Sequence, residues 1–126
     1  MAPLDAKTVV NAHVSAFNAR DVVALLDGFT ADAVWETGEY RCSGRAELEE
    51  LFTGAFEAIA PQLRVVRLVA GVDLVAAELV EEMVVDGRSM QVPIAGFYRL
   101  SDGRIASAKI YREGSADIPD TGTDTE

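Results

Sequence analysis

A single histidine, His13, falls in the run Val10, His13, Val14, Phe17, whose spacing is that of one helix face. An imidazole there can be a core residue with a backbone partner. It can equally be a hydrogen-bond donor or proton shuttle at the floor of a pocket. The second candidate is Glu81, in Glu78-Leu79-Val80-Glu81-Glu82-Met83. Strand alternation places Leu79, Glu81 and Met83 on one face. A carboxylate between leucine and methionine on an inward face is partly desolvated, which raises a carboxyl pKa and suits an acid or base near neutrality. The alternative is a bulge that reverses the register and leaves Glu81 in water, since three acids in five residues usually mark a surface. Thr37 is the third polar residue expected on an otherwise apolar inward face. Trp35, Tyr40, Tyr98, Met83 and Met90 are candidate cavity walls, although each type is also common in a plain core. Cys42 has no base beside it in sequence and receives no role.

Composition narrows the chemistry. The 126 residues suffice for one domain, and 49% hydrophobic with 25% charged residues is a globular balance. Acids outnumber bases 21 to 11, a net charge of −10. Such a surface repels phosphate backbones and anionic lipid, which argues against nucleic-acid and membrane roles. One cysteine and one histidine exclude an intrachain disulfide, a Cys-rich metal site and a multi-His cluster. No Gly-rich phosphate loop, nucleophile elbow or metal-ligand spacing is present, so neither metal nor cofactor is expected. Met1 to Lys7 lacks the basic patch and apolar run of a signal peptide, and apolar stretches end well short of the ~20 residues that span a bilayer. The expectation is a cytoplasmic protein.

The elements that must position these residues divide into two halves. Helical periodicity runs from Asp5 to about Asn18, and Asn18 to Asp21 reads as a break. Asp21 can cap a second short helix, which Gly28 ends. Ala33 to Thr37 reads as a short strand and Glu39 to Gly44 as a loop. Arg45 to Ile59 is the clearest helix, with Leu48, Leu51, Phe52, Ala55, Phe56 and Ile59 in one stripe; Pro61 terminates it. Strand patterns follow over Leu63–Ala70, Leu74–Val85, Ser89–Leu100 and Ile105–Arg112. Asp86-Gly87 and Asp102-Gly103 give two hairpin turns. The prediction is an α+β domain over 1–115, with helices on one face of a mainly antiparallel sheet, and a polar tail over 116–126 without fixed structure. Val65 and Val66, Val84 and Val85, and Phe97 and Tyr98 put bulk on both sheet faces. The helices cover only one face, so a homodimer through the outer face is expected.

Three stretches carry a family resemblance. They are Val9-Val10-Asn11-Ala12-His13-Val14-Ser15-Ala16-Phe17-Asn18-Ala19-Arg20-Asp21, then Phe29-Thr30-Ala31-Asp32-Ala33-Val34-Trp35 with Gly44-Arg45 opening a helix, and Val92 to Ile105. Over roughly residues 5 to 115 the chain resembles the nuclear transport factor 2-like superfamily, in its SnoaL-like, ketosteroid isomerase-like and limonene-epoxide hydrolase-like branches. The resemblance implies a cone: N-terminal helices in a strongly curved sheet around an apolar pocket, often as a dimer. It implies acid/base chemistry on a small molecule. The isomerase pattern's tyrosine donor falls on His13, its base on Thr37 and its protonated acid on Ala95. The hydrolase pattern's arginine falls on Leu79, its acids on Glu81 and Ile110, and its water-holding tyrosine and asparagine on Trp35 and Thr37. What remains for catalysis is Glu81 as base and His13 as donor. The expected walls are Phe17, Trp35, Thr37, Tyr40, Phe52, Phe56, Met83, Met90, Val92, Ile94 and Ile110. The expected substrate is an apolar, ring-containing molecule, polyketide- or terpenoid-like, for an isomerase, cyclase or hydrolase. The alternatives are a non-catalytic protein that binds a hydrophobic ligand, and a purely protein-binding dimer.

Overall fold

Helix α1 (Ala6–Ala19) starts where the Asp5 carboxylate accepts a hydrogen bond from the Lys7 amide at 2.8 Å. The computed structural model describes residues 5–113. Val9, Val10, His13, Val14 and Phe17 form the buried stripe of α1. Arg20 ends the helix in the left-handed region at φ 60°. The predicted break is also a joint. The Asn18 side chain donates to the Leu63 carbonyl at 2.8 Å and accepts from the Leu63 amide at 2.7 Å. The Arg20 guanidinium reaches the Pro61 carbonyl. The end of α1 is thereby fixed to the start of the sheet half.

Asp21 caps the short helix α2 (Val22–Asp27) through the Ala24 amide at 3.1 Å. Strand β1 (Phe29–Thr37) begins four residues earlier than its apolar alternation indicates. A register shift between Phe29 and Val34 interrupts that alternation. The loop expected over Glu39 to Gly44 contains a strand, β2 (Tyr40–Ser43), which turns back on β1 with Trp35 opposite Cys42. Helix α3 (Arg45–Ile59) has no side-chain cap at Gly44. Instead the Glu47 carboxylate accepts from the Ser43 amide at 2.7 Å. Leu48 and Phe52 are its buried residues.

Four long strands complete the chain: β3 (Gln62–Ala70), β4 (Leu74–Val85), β5 (Arg88–Ser101) and β6 (Arg104–Arg112). Both predicted hairpins form. Asp86-Gly87 and Asp102-Gly103 each place two consecutive residues at positive φ, as a tight two-residue turn requires. The sheet order is β2-β1-β6-β5-β4-β3, antiparallel throughout except for the parallel β1–β6 pair. Register shifts fall in β3 between Val65 and Arg67, and between β5 and β6 at Arg99/Leu100. Bulges of this kind increase local twist and bend the sheet. The result is a curved, unclosed α+β sheet with the N-terminal helices on its concave side.

The concave face carries the core: Val75, Ala77 and Leu79 from β4, Ile94 and Tyr98 from β5, and Ile105, Ala108 and Ile110 from β6. The convex face has no element of the described residues over it. Phe97 and Tyr111 meet there edge-to-face at 5.9 Å, and both remain about half exposed. The tail expected over 116–126 lies outside the described residues. No helix among the described residues is long and apolar enough to cross a membrane.

Candidate functional site

Between α1, α3 and the concave sheet lies a cavity of about 90 Å³. A single water needs roughly 10–15 Å³, so a small organic group fits. Helix α1 contributes Phe17, and α3 contributes Leu51, Phe52 and Ala55. The strands contribute Trp35, Thr37, Leu63, Glu81, Ile94, Tyr98, Ile110 and Arg112. Alternation explains the set. Trp35 and Thr37 are two apart on β1, Ile94 and Tyr98 four apart on β5, and Ile110 and Arg112 two apart on β6, so each pair shares the inward face.

Glu81 faces inward, as the Leu79-Glu81-Met83 alternation predicts, and the bulge that would have turned it outward is absent from β4. It lies opposite Val92 on one side and Leu63 on the other. Only 5% of the residue is exposed. Its Oε1 accepts from Nη1 of Arg112, a half-exposed side chain on β6, with β5 lying between the two residues' strands. Removing a carboxylate from water is costly unless it is paired, and Arg112 supplies the pairing. Arg112 is the polar cavity residue that sequence reading missed. Its signal is present, because it follows Ile110 by two. Alternation counted from Ile105 would turn it outward, and only the irregularity at Arg99/Leu100 brings Ala108, Ile110 and Arg112 in together.

His13 is buried, with 4% exposure, but it does not line the cavity. It stands one layer behind the wall. Its ring is edge-on to Phe29 at 5.5 Å and lies 5.6 Å from Tyr98, 5.8 Å from Trp35 and 6.4 Å from Phe52. Three of those four rings are themselves cavity walls. Among the described residues neither imidazole nitrogen has a hydrogen-bond partner. Burial without a counter-charge pushes its pKa down to about 4, so the ring is neutral at neutral pH. Burial likewise pushes the Tyr98 phenol up, so it keeps its proton.

Of the other predicted walls, Phe17, Trp35, Thr37, Phe52, Ile94 and Ile110 come together around the cavity. Phe56 is half buried and packs on Phe17 and Phe52 without reaching it. Val92 is half buried at the edge of the core. Tyr40 is exposed on β2. Met83 and Met90 face each other across β4 and β5 and line a separate depression of about 220 Å³ at the hairpin end. Tyr40, Met83 and Met90 miss the cavity because β2 lies on the outer edge of the sheet and the β4–β5 hairpin runs past the end of β3. Leu51, Ala55 and Leu63 are walls that the helical stripe and the β3 alternation already contained. Among the described residues no group of His, Cys, Asp or Glu side chains could hold a metal ion.

Residues 10–108 match the model of the SnoaL-like domain. The chain belongs to the SnoaL-like domain family. Solved structures similar to this SnoaL-like chain include a proposed polyketide cyclase from Xanthomonas campestris pv. campestris, with 26% identity over 84% of this chain and 88% of that one, and a TM-score of 0.79. An LEH-like epoxide hydrolase from M. tuberculosis shares 20% identity over 86% of this chain and 82% of its own, with a TM-score of 0.78. SalBIII, an epoxide hydrolase/cyclase-like enzyme in pyran ring formation in the polyether salinomycin, shares 24% over 87% and 92%, with a TM-score of 0.81. The last two likenesses carry the fold alone. No curated protein matches the chain.

Within the SnoaL-like frame, the three positions drawn from the isomerase pattern separate. Thr37 lines the cavity, His13 stands behind its wall, and Ala95 lies opposite Glu78 and Tyr111 on the convex face. The inward neighbours of Ala95 are Ile94 and Gly96.

Proposed function

We propose that this SnoaL-like chain is a small-molecule enzyme: an isomerase, cyclase or hydrolase acting by general acid/base chemistry on an apolar, ring-containing substrate of polyketide or terpenoid type. Glu81 is the group that takes and returns the proton, and Arg112 holds its carboxylate in place. The observation that carries the reading is a buried carboxylate facing an otherwise apolar cavity. Such a group serves no packing purpose, and a positioned base contributes about 10²–10⁴-fold to rate. Family membership and the likeness to a proposed polyketide cyclase support a small-molecule site. The direct test is turnover of cyclic epoxides and unsaturated cyclic ketones by the wild-type chain and by Glu81→Gln. Loss of about 10²–10⁴-fold in kcat with the fold intact is the expected result. Equal turnover by both proteins overturns the assignment.

One observation favours a second reading, a non-catalytic ligand-binding protein. The cavity carboxylate is already engaged by Arg112, and Ile110 stands where the hydrolase pattern has a second acid. That reading requires thermal stabilisation by the same compounds without turnover. The exposed Phe97 and Tyr111 on the uncovered convex face support a homodimer through that face.

A further inference from the structure

The acid/base reading leaves the cavity with a proton acceptor and no assigned donor, because His13 is shut behind aromatic rings. Tyr98 is one of those rings and itself lines the cavity. It is 1% exposed, it lines the cavity with Glu81, and its ring is held edge-to-face by Trp35 at 6.4 Å. A buried phenol normally has a hydrogen-bond partner. Among the described residues the Tyr98 hydroxyl has none.

The ring owes its position to Gly96. Gly96 and Tyr98 are two apart on β5 and share the concave face, opposite Ala77 and Val75. A side chain at 96 would put its Cβ 2.7 Å from Cε2, 2.9 Å from Cζ and 2.8 Å from Oη of Tyr98. Those contacts are closer than real Cβ atoms allow, so a side chain at 96 would displace the ring. The phenol therefore lies flat along β5, over a position that any other residue would fill. Gly96 has no positive φ to explain it; the close approach of the ring does.

We propose that the Tyr98 hydroxyl is the hydrogen-bond donor of this cavity, aimed by the empty position at Gly96, and that the ligand presents an oxygen acceptor to it: a ketone, epoxide or enolate oxygen. The inference rests on the cavity being the substrate site. Tyr98 then contacts the reacting oxygen, and Gly96 is a positioning residue. A phenol that stays protonated well above neutrality donates across the whole working pH range. It stabilises negative charge developing on that oxygen while Glu81, on the neighbouring strand, handles the proton.

The test uses 2-cyclohexen-1-one as probe, with cyclohexene as the control that lacks the oxygen. Binding is followed by the Trp35 indole N–H resonance and the carbonyl stretch by infrared spectroscopy, for wild type, Tyr98→Phe and Gly96→Ala. The expected result is a downward shift of the stretch in wild type that both variants abolish. Both should also weaken the ketone about three- to tenfold, and Tyr98→Phe, which keeps the ring, should weaken cyclohexene far less than the ketone. Gly96→Ala is the sharper arm, because it keeps the phenol and moves it; if that variant does not fold, Tyr98→Phe decides alone. Should the ketone bind Tyr98→Phe with wild-type affinity and an unchanged stretch, the donor assignment is overturned while Glu81 keeps its separate test. A ketone that leaves the Trp35 resonance of wild type unmoved removes the substrate site itself, and the donor with it.

Discussion

Replacing His13 by leucine gives the most quantitative check on the aromatic enclosure. The imidazole is neutral in the fold, with a pKa of about 4 against 6.5 when unfolded. Above pH 6.5 neither state binds a proton there. Between 6.5 and 4 the unfolded chain binds one and the folded chain does not, so stability falls as pH falls. Below that range both states are protonated and the loss is complete. The difference of about 2.5 pH units corresponds to about 3 kcal/mol at 1.36 kcal/mol per unit. The surrounding groups, Phe29, Trp35, Phe52 and Tyr98, are uncharged in this range, so nothing nearby cancels the effect. His13→Leu keeps the volume roughly constant and also removes two unpartnered polar atoms, which cost about 1–3 kcal/mol when buried. Urea unfolding followed by the single tryptophan, at pH 7.5, 6, 5 and 4, measures both proteins. Wild type should lose about 3 kcal/mol more than the variant over that range, the acidic residues cancelling in the difference. Parallel profiles, or an imidazole that titrates near 6.5 in the folded protein, would refute the enclosure.

Other consequences follow from the same geometry. Arg112→Met leaves the Glu81 carboxylate buried and alone. It should cost about 1–3 kcal/mol in urea unfolding, less than a fully buried pair because solvent reaches the guanidinium, and adding Glu81→Gln should recover part of it. Asn18→Ala removes both hydrogen bonds to Leu63 and should cost about 1–2 kcal/mol; a change inside 0.3 kcal/mol would mean that the joint is not formed in solution. Phe97→Glu places a charge in the middle of the convex face and should convert a dimer to a monomer by sedimentation at micromolar concentration. A monomeric wild type disposes of that interface.

Local rules made much of this architecture legible. The α3 stripe puts Leu48 and Phe52 inward, and the two Asp-Gly pairs lie at hairpin turns with positive φ. Strict alternation also put Glu81 on the concave face. What was not legible depends on elements distant in sequence. Strand β2 is Tyr-Arg-Cys-Ser, too short and mixed to announce itself, and exists through its pairing with β1. His13 was placed on the right face of α1. Whether it meets the cavity or stands behind its wall is decided by rings from β1, α3 and β5. The Glu81–Arg112 pair needs the irregularity between β5 and β6, and no residue type in Ser-Asp-Gly-Arg-Ile-Ala-Ser signals it.

The Asn18 amide has a significance beyond anchoring a helix. Strand β3 is the last in the sheet, and such a margin offers unsatisfied amides and carbonyls to any passing extended chain. By offering one donor and one acceptor to Leu63, a single side chain imitates a seventh strand one residue long. Recruitment of a foreign peptide along that margin therefore meets an obstacle at the second residue of β3, before any ladder can begin to lengthen.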